Sequence, residues 1–132
     1  MSMSDYEVGV VMATADMKAA REFYEGKLGL TPNGDPPEDP TVPINYVCGK
    51  GTGLSVYLSP EHAGKSTATM ADWVVDDLEK VVDELIAKGA EFEQYDTEGM
   101  KTDEKGIVDL GEGNRVAFLR DPDGNTHALT QG

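Results

Sequence analysis

Asp121-Pro122-Asp123-Gly124-Asn125 begins like a calcium-binding loop, with carboxylates at alternating positions. Such a loop needs a bidentate Glu at its twelfth place, and here that place is Gly132. The segment therefore reads as a tight turn, in which Pro presets one dihedral and Gly or Asn accepts positive φ. A tight turn fixes the register of the hairpin around it. It decides whether Thr126, Ala128 and Thr130, or His127 and Leu129, face a given side. GKGTG at 49–53 lacks the spacing and the strand-to-helix setting of a phosphate loop. The two histidines, His62 in a polar stretch and His127 beside Leu129, are too few for a His-rich metal site. Cys48 has no partner for a disulfide and no CxxC, and reads as a small buried hydrophobe in INYVCG. No Ser/His/Asp triad is visible from spacing.

The elements that must position such residues are legible from periodicity. YEVGVVMA is a strand candidate, and Asp16 opens a helix over MKAAREFYEGKLG that stops at Gly29. TPNGDPPEDPTVP is an irregular connection. INYVCG and GLSVYLS are strands across GKGTG, and SPEHAGKSTAT is a polar linker. MADWVV then restarts the pattern. Asp76 with Glu79 resembles a capping box. Leu78, Val81, Val82, Leu85 and Ile86 form the apolar stripe of a helix ended by Gly89. AEFEQY, RVAFLR and NTHALT are expected as strands, with 97–113 as a long loop between the first two. The order strand–helix–three strands is thus expected twice. The halves are offset by 61 residues, from Asp16 to Asp77 and from Gly9 to Met70. A single domain is expected, with a first module over about 5–60, a linker over 60–69 and a second module over about 70–131.

Bulk properties narrow the partners. A net charge of −14 repels phosphate backbones and argues against nucleic acid, while favouring cationic ligands. No apolar run is long enough for a membrane span. MSMSDYEVGVV lacks the basic start and apolar stretch of a signal peptide, so the cytoplasm is the expected compartment.

With AREFYEGKLGL in the first half, WVVDDLEKVVDELIAKGAEFE in the second, and FLRDPDGNTHAL near the end, nearly the whole chain resembles the vicinal oxygen chelate family. Glyoxalases, extradiol dioxygenases and bleomycin-resistance proteins belong to it. The resemblance implies an α+β fold of two βαβββ modules forming a cupped mixed sheet, usually in a homodimer. It also implies a divalent metal held by two ligands from each module. The implied positions fall here on Gly9, Met70, Ala128 and either Ser55 or Tyr57. Gly and Ala offer no donor, and a thioether is a poor ligand for hard or borderline metals. No metal and no cofactor are therefore expected.

If Gly9 and Met70 face the cup, strand alternation sends Val11, Ala13, Asp72 and Val74 there, and Val10, Met12, Trp73 and Val75 towards the helices. Ser55, Tyr57 and Ser59 join the cup, as do Thr126, Ala128 and Thr130. Tyr46, Tyr95 and Met100 are expected at its mouth. The candidate ligand-binding set is Tyr46, Tyr57, Met70, Asp72, Tyr95, Met100 and Ala128. The function expected is metal-independent binding of a small molecule, cationic or aromatic, that sequesters a natural product or antibiotic as resistance proteins do. The alternative is a glyoxalase-like lyase or isomerase using Asp72 as general base, its pKa raised by an apolar cup. A third possibility, a purely structural or regulatory dimer, would have the cup filled by side chains.

Overall fold

Strands β1 (Val10–Thr14), β2 (Ile44–Val47) and β3 (Gly53–Leu58) form one sheet, ordered β1-β3-β2. Strands β4 (Thr69–Val74), β7 (Ile107–Gly111), β8 (Asn114–Arg120) and β9 (Thr126–Gln131) form a second, ordered β4-β9-β8-β7. Among the described residues, strands β5 (Asp96–Thr97) and β6 (Met100–Lys101) pair only with each other. The computed structural model describes residues 2–132. The chain divides into two compact units, Met1–Lys65 and Ser66–Gly132. Each is a βαβββ-like module, and the class is α+β.

In the first unit β1 runs parallel to β3, and β2 antiparallel to it. Helix α1 (Met17–Arg21) is capped by Asp16, whose carboxylate accepts from the Ala19 amide at 3.2 Å. The expected α-helix does not run to Leu28. From Glu22 to Lys27 it widens into a π-helix, with the Leu28 amide donating to the Phe23 carbonyl at 3.0 Å. The wider turn allows the adjacent pair Phe23 and Tyr24 both to be buried. Tyr24 stacks on Tyr46 with ring centroids 6.2 Å apart. Of the three strands expected after this helix, the first is only a bridge between Pro32 and Tyr46. Proline brings no amide donor to a ladder, which limits pairing there.

In the second unit β4 is parallel to β9, and β7, β8 and β9 form antiparallel pairs. Helix α2 (Leu78–Ala87) is capped by Asp77 rather than Asp76, through the Lys80 amide at 3.2 Å. Leu78, Val82 and Leu85 are buried. Each fully buried aliphatic chain of this kind contributes about 1.5–3 kcal/mol.

AEFEQY is not a strand. Only Phe92 bridges to Leu119, with the Glu93 amide donating to the Phe118 carbonyl. The edge of β8 is taken instead by Ile107–Gly111, from within the expected loop. Gly106 makes this possible. It sits at φ +87°, and a Cβ there would lie 2.7 Å from Phe92 Cβ, so only glycine fits. The DPDGN turn is satisfied internally. Asp121 accepts from the Asp123 and Asn125 amides and from Asn125 Nδ2, at 2.8–3.0 Å. These contacts engage the carboxylate in turn architecture.

Candidate functional site

Registers across the second sheet fix which side chains share a face. Asp72, Ala128 and Phe118 form one row; Val74, Thr130, Val116 and Val108 form the next. The opposite face carries Ala71, His127 and Leu119, then Trp73, Leu129, Ala117 and Ile107. That second face is structural. His127 is fully buried, accepts a hydrogen bond from Trp73 Nε1 at 3.0 Å, and stacks with that indole. Burial pushes its imidazole down to about 4, with Asp121 opposing.

The Asp72 face combines hydrocarbon with a little polarity. Asp72 is exposed and accepts from Thr130 Oγ1 at 2.9 Å. An open groove of about 390 Å³ is lined by Val74, Leu110, Val116 and Thr130, with Asn114, Arg115, Gln131 and Gly132 completing it. Val116 also belongs to a buried cluster with Val108 and Ala128, against which Met100 and Phe118 pack. Tyr95 meets Phe118 edge-on, with centroids 5.9 Å apart. Asp72, Ala128, Met100 and Tyr95 are therefore assembled around one sheet face, linked through Thr130, Val116 and Phe118. The chemistry available is burial of an apolar body with a carboxylate–hydroxyl pair beside it.

Other expected site residues lie elsewhere. Met70 occupies a β-bulge between Thr69 and Ala71, is 41% exposed, and has no face assigned by simple alternation. Tyr57, in the first unit, is half-buried and pairs with Ala13. Tyr46 also belongs to the first unit. It pairs with Leu54 on the helix side, is buried, and donates to Glu25 Oε2 at 2.9 Å. The Arg21 guanidinium, 2.6 Å from that carboxylate, holds Glu25 below the ordinary range, while burial foremost pushes Tyr46 up. Asp72 was expected inside an apolar enclosure, and it is exposed instead.

Sequence reasoning did not pick out Val108, Leu110, Val116 or Phe118 as site residues. The signal was present: Ile107-Val108-Asp109-Leu110 precedes Gly111-Glu112-Gly113, a turn with positive φ at all three positions.

The donor positions that the resemblance implies do not fit a metal. Gly9 precedes β1, Ala128 is a buried methyl, and Met70 is a thioether. Among the described residues no group of three or more His, Cys, Asp or Glu lies together as a ligand set.

The family model for the Glyoxalase/Bleomycin resistance protein/Dioxygenase superfamily matches residues 8–129, and the chain belongs to that superfamily. A glyoxalase/bleomycin resistance protein from Catenulispora acidiphila superposes with TM-score 0.72 at 24% identity, covering 96% of this chain and 97% of that one. An antibiotic-binding protein from Streptomyces superposes with TM-score 0.68 at 18% identity, covering 96% and 94%. The fosfomycin resistance protein FosX from Listeria monocytogenes gives TM-score 0.69 at 9% identity, covering 96% and 93%. At these identities the likeness is one of fold. No curated protein matches the chain in sequence.

Proposed function

We propose that the protein binds a small apolar or aromatic molecule, with cationic character, on the Asp72 face of its second unit, without a metal. The observation that carries this reading is a hydrocarbon floor of Val108, Val116, Ala128 and Phe118 beside one exposed carboxylate–hydroxyl pair. The donor-poor set Gly9, Met70 and Ala128 supports metal independence. Structural likeness to an antibiotic-binding protein and a fosfomycin resistance protein makes sequestration of a natural product the biological form we favour. A net charge of −14 suits a cationic ligand and disfavours nucleic acid. Among the described residues, no helix is long and apolar enough to cross a membrane. We read the chain as one domain working in the cytoplasm as a homodimer. Sedimentation at micromolar concentration checks the dimer, and a monomer there contradicts it.

The enzyme reading, with Asp72 as base, has less support. Its premise was an enclosed carboxylate, and Asp72 is exposed. Thermal-shift screening of cationic aromatic natural products, followed by mass spectrometry of the bound compound, separates the readings. Unaltered compound recovered at one per site supports binding. Conversion that stops in Asp72→Asn while binding persists supports the enzyme.

A further inference from the structure

Residues 90–107 are anchored to the second unit at both ends. On one side Phe92 bridges to Leu119 and the Glu93 amide donates to Phe118. On the other, Asp103 Oδ1 accepts from the Lys105 and Ile107 amides, and Lys105 Nζ reaches Glu79 and Asp83 on α2. Between these anchors the chain behaves differently. Among the described residues, the hydrogen bonds and ion pairs of Tyr95–Thr102 all close within 94–104. Thr102 Oγ1 bonds to Tyr95 and Gln94, and Lys101 pairs with Asp96. Strands β5 and β6 are two residues each and join no other strand. A two-stranded hairpin this short has little stability of its own. What attaches it to the sheet is apolar contact: Met100 on the Val108–Val116–Ala128 cluster and Tyr95 on Phe118. Methionine, flexible and unbranched, gives up such a contact at small conformational cost.

A second observation lies next to Ala128. Thr126 is buried on the same face of β9, and its Oγ1 is the one buried side-chain N or O atom among the described residues without a hydrogen-bond partner. A buried hydroxyl of this kind calls for a partner. The open groove reaches the covered cluster through their shared residue Val116.

We propose that the Tyr95–Thr102 hairpin is a movable cover. An apolar small molecule enters from the groove, takes the place of Met100 over Ala128, and offers a hydrogen-bonding group to Thr126 Oγ1. This rests on the binding reading above and specifies how that site is filled.

Nile red, a neutral apolar fluorophore with a carbonyl acceptor, tests it in titrations of the whole protein. Met100→Ala removes the side chain that must move. If the cover is closed nine-tenths of the time, affinity rises about tenfold. Thr126→Val weakens binding and raises the melting temperature of the dye-free protein, since it removes an unpaired hydroxyl at constant shape. Hydrogen exchange at 97–102 accelerates when dye binds, and exchange at Ala117 and Leu129 does not. Leu110→Glu, in the groove wall, abolishes binding and locates the site. Binding that is lost in Leu110→Glu yet unchanged in Met100→Ala, with hairpin exchange unaltered, overturns the cover and leaves the site reading intact. No binding to either wild type or Met100→Ala overturns both.

Discussion

The two units use one scaffold to opposite ends. Each begins with a strand parallel to its last strand, follows it with a helix capped by an Asp three residues before the amide it binds, and returns through an antiparallel strand. They differ in the connection after the helix. In the first unit it is proline-rich and adds one bridge, at Pro32. The side chains that face away from α1, Val11 and Val47, are each 57% exposed. In the second unit the connection adds β7 and the β5–β6 hairpin, and the corresponding face gains a buried apolar floor. The apolar floor therefore comes from what is inserted between scaffold elements, while the scaffold holds its edges in register.

The largest contrast expected is in the helix-side cores. Leu78 and Met17 occupy equivalent first positions of the two helices, but Leu78 is wholly enclosed while Met17 borders an open groove. Leu78→Ala is expected to cost about 2–5 kcal/mol in urea unfolding, and Met17→Ala less, because water fills its place. Equal losses would break the contrast.

Acid distinguishes the units next. His127, with its folded pKa lowered to about 4 by burial, binds fewer protons than in the unfolded chain. Its contribution is complete above about pH 6.5 and is lost as pH falls towards about 4, amounting to roughly 3 kcal/mol. His127→Leu should flatten stability across that window. An unchanged slope would refute the assignment. Smaller still are the caps: Asp16→Ala and Asp77→Ala should each cost about 1 kcal/mol, because the two bonds have the same 3.2 Å length. A large inequality between them would mean that one helix depends on more than its cap.

Much of this was readable in advance. The repeat, both helix starts within a residue, the DPDGN turn and the inward side of His127 follow from period and turn chemistry. The π-turn did not, since adjacent Phe23 and Tyr24 violate helical spacing only once both are known to be buried. AEFEQY alternates as a strand should, yet Ile107–Gly111 takes most of the β8 edge, a long-range competition that local propensity does not register. The side that Tyr46 takes was not legible, because an aromatic on a half-buried strand suits either face. Its partner Glu25 lies 21 residues away in the chain. Met70 lies at a bulge, where counting by twos fails.

The central claim is metal-independent binding beside Asp72. The direct measurement is calorimetric titration of the best natural product from the screen, into wild type and Asp72→Asn, before and after exhaustive dialysis against a chelator. The account predicts that chelation leaves wild-type affinity unchanged. Asp72→Asn should weaken binding by about ten- to a hundredfold, the value of one charge-assisted contact. Binding that disappears on chelation and returns with a divalent ion, or an Asp72→Asn titration that overlays wild type, would contradict it.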